Sequence, residues 1–278
     1  MKFSLVNGYK TEPRPGLQGT CAYCQSDTIT KCGQVKIWHW AHKSKFSCDP
    51  WWENETEWHR AWKNQYPAEW QENIHIDFAT GEKHIADIKT ASELVIEFQH
   101  SAIHPDEIKT REAFYKSMVW LVDGTRLKKD DSRFRQGFNN LEPEIIDGYF
   151  RIAFPDKCFH KSWLERSKPV YFDFQGIISS DQTDEMHDPL WCLLPGREQQ
   201  YALVARISRK EFIDFSSNDS KLLPTRDRFS AQLKKLQADI KDAVEAVKKI
   251  KELQAAQAAA HQQYLRSLIP RRFMHRHL

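Results

Sequence analysis

Two short runs with β-strand character, separated by a three-residue polar turn, constrain this chain more than any other feature. They cover residues 83–89 and 93–99. This spacing predicts an antiparallel hairpin, in which Asp87 of the first run and Glu97 of the second could converge on one point of the sheet. Gln99 lies two residues after Glu97, so the alternation of side chains along a strand puts both on the same face.

The face that holds Asp87, Glu97 and Gln99 would be negatively charged and rich in oxygen atoms. Hard divalent cations such as Mg²⁺ and Mn²⁺ prefer such ligands. A metal ion bound there could polarise a phosphodiester and activate a water molecule. The alternative is that both acids are ordinary polar residues on a half-exposed sheet, and the surrounding residues must decide between the two.

Composition limits the class of protein. The chain has 278 residues, 40% of them hydrophobic and 28% charged, which are values of a globular protein with one large domain or two modest ones. The net charge of +3 does not by itself indicate a nucleic-acid-binding protein. No run approaches the ~20 apolar residues of a membrane span, and the N-terminus is too short and polar for a secretory signal. We therefore expect a cytoplasmic protein that does not enter a membrane.

Four of the six cysteines fall within the first 48 residues, which favours a metal site in a cytoplasmic protein. Two pairs of potential ligands are spaced i, i+3: Cys21 with Cys24, and His39 with His42. Each pair could bind one tetrahedral Zn²⁺ ion. We predict a structural zinc site whose preferred ligands are Cys21, Cys24 and His42, followed by His39.

Cys32 and Cys48 are the alternatives that could replace a histidine in this site. The other interpretation is that the cysteines are free and that His39 and His42 frame an aromatic core strand. In both cases six potential ligands leave no obvious open position for a catalytic zinc. The module should therefore stabilise the fold or contact nucleic acid.

Further elements surround the hairpin. In the helix before it, Glu55, His59 and Lys63 fall at i, i+4 and i+8 and share one face. An apolar run after it, closed by Gly124, is typical of a buried strand. The order is helix, three strands, helix and strand. The predicted ranges are 55–63, 70–78, 83–89, 93–99, 104–118 and 119–123.

This order and its motifs resemble the PD-(D/E)xK nuclease superfamily and, within it, the competence protein CoiA-like family. The motifs, in chain order, are C-x-x-C, H-W-A-H, E-x-E-W-H-x-x-W-K, I-A-D-I and V-I-E-F-Q-H-S, with R-E-A-F-Y after them. They cover about residues 1–124, and their agreement in order makes the resemblance specific. It implies an α/β (α+β) fold with a restriction-endonuclease-like core that acts on DNA.

The resemblance also implies roles for particular residues. Asp87 and Glu97 would be the Mg²⁺ or Mn²⁺ ligands, and an acid of the first helix would complete the site. Glu57 is preferred for this third position, although helical phase favours Glu55. Gln99 stands where most of the superfamily has Lys, and the CoiA-like branch resembles this E-x-Q form.

The change from Lys to Gln99 matters because a neutral amide cannot supply positive charge to a scissile phosphate, although it can orient water or contact a metal. The candidates for that charge are Lys63, Lys89 and Arg111, and Arg111 has the fork geometry that suits a phosphate. Ser101 is expected to form a hydrogen bond near Gln99. The plainer interpretations are a surface salt bridge for Arg111 and a helix-entry residue for Ser101.

We therefore predict a metal-dependent deoxyribonuclease whose cleavage is largely indifferent to sequence, since nothing in the chain suggests base readout. The alternative is a catalytically inactive, zinc-stabilised DNA-binding protein that acts in DNA uptake, recombination or phage defence. The sequence does not separate endonuclease from exonuclease, DNA from RNA, or single strands from duplex.

The remainder of the chain contains no catalytic motif. A segment that nearly lacks Gly and Pro has apolar residues in a 4-3 alternation, which predicts a long helix that docks on its own domain or forms a homodimer. The basic tail after it could contact a nucleic-acid backbone or fray. The predicted regions are a zinc-finger-like module (1–50), a nuclease core (51–125), an α+β extension of unknown role (126–222), and the long helix with its tail (223–278).

Overall fold

A computed structural model describes residues 1–44, 48–176 and 186–268. These residues form a mixed α+β structure with one five-stranded sheet, one nine-stranded sheet and a long C-terminal helix. The prediction of a mixed α+β chain that ends in a long helix is therefore confirmed. The chain divides into two units, Met1–Arg226 and Asp227–Leu278.

The smaller sheet is formed by the first part of the chain. Its strands are β1 (Ser4–Val6), β2 (Tyr9–Thr11), β3 (Gln18–Thr20), β4 (Asp27–Lys31) and β5 (His39–His42). They lie in the order β2-β1-β3-β4-β5, and every pair is antiparallel. Met1, Cys21 and Trp40 form a small core beside the sheet.

The larger sheet contains the predicted hairpin. Its strands are β6 (Gln71–Ile76), β7 (Lys83–Lys89), β8 (Val95–Gln99), β9 (Met118–Asp123), β10 (Leu141–Pro143), β11 (Tyr149–Ala153), β12 (Val170–Asp173), β13 (Leu190–Glu198) and β14 (Tyr201–Ile207). Their order is β10-β11-β14-β13-β12-β9-β8-β7-β6. Strand β9 is parallel to β8 and to β12, and the other pairs are antiparallel.

The described residues of the first unit also form four α-helices. They are α1 (Glu57–Lys63), α2 (Pro105–Phe114), α3 (Lys128–Phe138) and α4 (Arg209–Asn218). Short 3₁₀ turns occupy Ala68–Trp70, Pro155–Lys157, Lys161–Trp163 and Ser220–Leu222. Helix α1 begins after Thr56, whose hydroxyl accepts a hydrogen bond from the backbone N–H of His59. This cap fixes where α1 starts and hence which of its residues face the sheet.

The main apolar core crosses the predicted boundary between residues 125 and 126. It contains Trp120 of β9, Phe134 of α3 and Trp191 of β13, all fully buried. Phe134 stacks on Phe174 with ring centroids 4.0 Å apart. The predicted core (51–125) and the predicted extension (126–222) therefore contribute to one sheet and one packed interior.

A buried carboxylate attaches α1 to the middle of the larger sheet. Asp173, at the end of β12, is 0% exposed. Its Oδ2 accepts hydrogen bonds from the indole N–H groups of Trp58 (3.0 Å) and Trp62 (2.9 Å). Its Oδ1 accepts from Arg209 and from two backbone N–H groups. A buried charge is stable only when it is bonded in this way, so Asp173 holds the aromatic stripe of α1 against β12.

Helix α5 (Arg226–Ser267), 42 residues long, makes up nearly all of the described part of the second unit. Along this helix, all of which lies in the described part of the chain, no residue is buried. Ile240, Val247 and Ile250 of the predicted apolar seam are about half exposed. The predicted basic tail lies outside the described residues. None of the helices in the described ranges is both long and apolar enough to cross a membrane.

Candidate functional site

The two acids of the predicted hairpin lie where its strands separate. β7 and β8 pair only next to their turn, and beyond it side chains occupy the space between them. The backbone N–H of Phe98 donates to Asp87 Oδ2 (3.0 Å), and the backbone N of Asp87 lies 3.4 Å from Glu97 Oε1. The structure thus brings Asp87 and Glu97 together in the opening between two paired strands.

Asp87 forms an ion pair with Lys63 of α1. The ammonium Nζ lies 2.9 Å from Asp87 Oδ1, 3.2 Å from Glu72 Oε1 and 3.6 Å from Glu55 Oε1. Burial disfavours the ammonium ion, but these acids outweigh it and raise the pKa of Lys63 well above its ordinary value. Burial likewise opposes ionisation of Asp87, yet the charge of Lys63 holds the pKa of Asp87 below its ordinary value. Both groups are therefore charged at neutral pH.

Glu72 reaches this cluster through an irregularity in β6. Its backbone has a φ of 46°, and it has no partner in β7 although Gln71 and Asn73 on either side do. This left-handed backbone conformation redirects the side chain. The carboxylate accepts hydrogen bonds from the backbone N–H groups of Lys2 (2.7 Å) and Phe3 (3.0 Å). Positive charge and these donors outweigh burial and lower the pKa of Glu72 to about 2.

Glu97 forms a second buried ion pair, with Arg111 of α2. Arg111 Nη1 lies 2.9 Å from Glu97 Oε2, and the guanidinium also bonds to Glu107 and to the carbonyl oxygen of Trp51. Burial, to which the charge of Asp87 adds, raises the pKa of Glu97 to about 8 in spite of Arg111. Arg111 is thus a buried residue that lines the cavity, not part of a surface salt bridge.

Glu53, which the sequence analysis did not single out, adds a further acid to the cavity. Its Oε2 accepts hydrogen bonds from Gln99 Nε2 (3.2 Å) and from the hydroxyl of Ser101. Burial, with a contribution from Asp87, raises the pKa of Glu53 to about 7. Glu53 Oε1 and Gln99 Oε1 are both buried without a hydrogen-bond partner among the described residues. Buried oxygens in this state are suited to receive a bound cation or water.

Glu57, the acid preferred for the third position, does not face this cavity. It is exposed and lines a separate pocket of about 300 Å³, whereas the cavity with Asp87 measures about 50 Å³. Glu55 lines both but is bound to Arg60 at 2.6 Å. The geometry thus favours Glu53, with Glu55 next, over Glu57. The only sequence feature that pointed to Glu53 was its place two residues before Glu55 in an acidic stretch.

Lys89 and His59, two further side chains considered in the sequence analysis, differ in their relation to the cavity. Lys89 bonds to Glu93 at 2.7 Å on the hairpin and does not line the cavity. His59 is buried, with Nε2 3.6 Å from Glu53 Oε1 and 4.0 Å from Asp87 Oδ2. Burial lowers the pKa of His59, so the ring is neutral there.

A second cluster of potential ligands lies beside the smaller sheet. The ligand atoms of Cys21, Cys24, His42 and Cys48 all lie within 4.8 Å of one another. Cys24 Sγ is 3.2 Å from His42 Nε2, and Cys21 Sγ is 3.6 Å from Cys48 Sγ. Three thiols and one imidazole suit a tetrahedral Zn²⁺ ion. We call this group the Cys/His cluster, and it could hold a structural zinc ion.

The fourth member of the Cys/His cluster is Cys48, whereas the sequence predicted His39 for that position. His39 and His42 both lie on β5, where residues three apart point to opposite faces. The His39 ring instead bonds to the carbonyl oxygen of Ile37 at 2.9 Å. Cys32 also lies outside the cluster. The i, i+3 spacing indicates a shared metal only where the backbone turns, as it does between Cys21 and Cys24.

Comparison with known proteins gives a match for the beginning of the chain. Residues 18–50 match the family model described as Competence protein CoiA, N-terminal domain. The matched segment includes β3 to β5 and all members of the Cys/His cluster. No curated protein and no solved structure matches the chain. The match supports the CoiA-like resemblance of the N-terminal module, and the cavity with Asp87 lies outside the matched residues.

Proposed function

We propose that this protein is a CoiA-like nuclease that hydrolyses phosphodiester bonds of DNA with Mg²⁺ or Mn²⁺. The main support is the convergence of Asp87, Glu97, Glu53 and Gln99 at the point where β7 and β8 separate. The family match of residues 18–50 supports a role connected with competence. Nothing in this arrangement reads base edges, so the proposed cleavage is largely independent of sequence.

In this proposal Asp87 and Glu97 hold the divalent ion, and Glu53 is the third acid. The ion would supply Lewis-acid activation of water and neutralise charge on the phosphate. The unpartnered Oε1 of Gln99 can accept a hydrogen bond from the attacking water. The ammonium of Lys63 stabilises the negative charge that develops on the phosphate, which Gln99 cannot do.

Binding a divalent ion requires the two acids to exchange partners. In the structure, Lys63 neutralises Asp87 and Arg111 bonds to Glu97, so the incoming ion competes with both. When Lys63 is released from Asp87 it remains within reach of Glu72. The lysine therefore stays charged and close to the position of the substrate phosphate.

The same ion pairs favour a second candidate function, that of a catalytically inactive DNA-binding protein. Because Lys63 already neutralises Asp87 and Arg111 already bonds to Glu97, both acids have a partner in the cavity without a metal ion. In that case the acids would serve the fold alone, and the protein would hold DNA without cleaving it.

Cleavage of single- and double-stranded DNA in Mg²⁺, Mn²⁺ or EDTA distinguishes the two functions. Wild type is compared with Asp87→Asn and Glu97→Gln, each checked for folding by circular dichroism. Glu93→Gln is the matched control, since Glu93 is an exposed acid of the same hairpin. We expect divalent-dependent cleavage that falls by about 100-fold or more in both acid variants and is unchanged in the control.

Cleavage that persists in Asp87→Asn would exclude this site. Retention of DNA in a gel shift, with no cleavage under any condition, would favour the inactive DNA-binding protein.

A further inference from the structure

The Cys/His cluster is connected to β7 on two sides. On the first side is Tyr23, which lies between Cys21 and Cys24 in the sequence. Its hydroxyl donates to the carbonyl oxygen of Lys83 (2.8 Å), and Lys83 Nζ donates to the carbonyl oxygen of Tyr23 (2.9 Å). The ammonium of Lys83 also lies 4.5 Å from the centroid of the Tyr23 ring. Lys83 is the first residue of β7, the strand that contains Asp87.

On the second side, Asp49 directly follows Cys48 and is 4% exposed. Its Oδ2 accepts a hydrogen bond from the backbone N–H of Ile85 (2.6 Å). Its Oδ1 lies 2.9 Å from His84 Nδ1 and accepts the ring N–H. Asp49 therefore contacts β7 two residues before Asp87, through both carboxylate oxygens.

The position of Asp49 explains how the hairpin opens. Ile85 and Asp87 are two residues apart, so they present their N–H groups to the same edge of β7. The N–H of Asp87 approaches Glu97 of β8, whereas the N–H of Ile85 bonds to Asp49. Since β8 pairs with β7 only next to the turn, the Asp49 carboxylate takes the position of β8 along this part of the edge. It satisfies a backbone donor that would otherwise be unpaired.

We propose that Asp49 is a positioning residue of the cavity, through which the metal-loaded Cys/His cluster keeps β7 apart from β8. The spacing between Asp87 and Glu97 then depends on a cluster that contains neither of them. This inference rests on the proposed function, because it concerns a divalent ion held by those two acids. It implies that the divalent site weakens when the link through Asp49 is removed, although every ligand of that site is intact.

Binding of Mn²⁺ to the full-length, zinc-loaded protein, measured by electron paramagnetic resonance, tests the inference without relying on cleavage. Asp49→Asn keeps the size of the side chain but replaces one accepting oxygen with an amide that only donates. We expect its Mn²⁺ affinity to fall about 10-fold or more, in the range found for residues that orient metal ligands. Its zinc content should remain at the wild-type value.

The matched control is Glu112→Gln. Glu112 is also buried and also binds a backbone N–H and a ring N–H, those of Ser167 and Trp120. It lies on α2, outside β7 and outside the Cys/His cluster. We expect this variant to lose stability while its Mn²⁺ affinity stays at the wild-type value.

A second variant, Tyr23→Phe, removes the hydroxyl that bonds to Lys83 and leaves the ring in place. It should weaken Mn²⁺ binding in the same direction but less than Asp49→Asn, and it decides the matter if Asp49→Asn does not fold. Wild-type Mn²⁺ affinity in a folded, zinc-loaded Asp49→Asn protein would overturn the inference, as would wild-type affinity in Tyr23→Phe if the first variant is unfolded.

Different results are expected if the proposed function itself is wrong. If the wild-type protein binds no Mn²⁺, or if Asp87→Asn binds it as tightly as wild type, the divalent site itself is absent. That result would exclude both the proposed function and this inference.

Discussion

The ammonium of Lys63 lies 2.9 Å from a carboxylate oxygen of Asp87. Positive charge is therefore present in the cavity even though Gln99, on the neighbouring strand, is neutral. The charge comes from the last residue of helix α1, and it is surrounded by acids on more than one element.

Replacing Lys63 with Met should destabilise the protein strongly. The substitution leaves three acids, Asp87 among them, in a buried site without their common cation. Breaking a buried ion pair costs about 3–5 kcal/mol, which urea unfolding at pH 7 would measure. Lys89→Met is the control, because Lys89 pairs with the largely exposed Glu93 and should lose less than about 1 kcal/mol. Equal losses of unfolding free energy in the two variants would show that Lys63 is not the common cation of these buried acids.

The affinity for Mn²⁺ should increase between pH 6 and pH 8. Burial raises the pKa of Glu97 to about 8 and that of Glu53 to about 7. A raised pKa keeps a carboxyl protonated to higher pH, and a ligand must lose its proton to bind a metal. Protons therefore compete with Mn²⁺ more strongly at pH 6 than at pH 8. Titration calorimetry in buffers of different ionisation enthalpy would count the released protons, and an affinity that is constant over this range would contradict the assignment.

Glu53 and Glu57 should differ clearly as metal ligands. Glu53 lines the cavity beside Asp87, whereas Glu57 is exposed and lines another pocket. Glu53→Gln is expected to weaken Mn²⁺ binding about 10-fold or more, and Glu57→Gln should change it less than about twofold. The two variants differ only in position, so each is the control for the other. A larger loss of Mn²⁺ affinity in Glu57→Gln than in Glu53→Gln would show that the third acid is Glu57 of helix α1.

The purified protein should contain one zinc ion that depends on Cys48 and not on Cys32. Cys48→Ser removes a member of the Cys/His cluster, while Cys32→Ser changes a cysteine outside it. Elemental analysis should find zinc in Cys32→Ser at the wild-type level and little in Cys48→Ser. The melting temperature of Cys48→Ser should fall as well, because a structural zinc ion contributes to folding free energy. The reverse pattern would show that the cluster is not the zinc site.

The parts of the structure that follow from local sequence could be predicted. The alternation of β7 and β8 and the short turn between them place Asp87 opposite Glu97 without any knowledge of the rest of the chain. The pair Cys21 and Cys24 is equally local. The long helix α5 was predictable because the absence of Gly and Pro extends over its whole length.

The parts that were missed depend on contacts between distant segments. Glu53 enters the cavity because it bonds to Gln99 on β8, and no spacing within its own segment indicates this. His39 has the same i, i+3 relation to His42 that Cys21 has to Cys24, but a strand and a turn give that spacing opposite geometries. The boundary predicted after residue 125 overlooked that β12 pairs in parallel with β9. Parallel pairing needs a long connection, and sequence does not reveal the partner.

The bond between Asp173 and the two indoles of α1 has a consequence for the order in which the protein assembles. Synthesis on the ribosome releases α1, with Lys63 at its end, long before Asp173 is made. Until β12 has emerged, Trp58 and Trp62 lack the acceptor that holds α1 in place. We therefore expect the position of Lys63 beside Asp87 to be fixed only once β12 is in place. A truncated chain that ends before Asp173 should accordingly lack an ordered cavity, although it contains Asp87, Glu97 and Lys63.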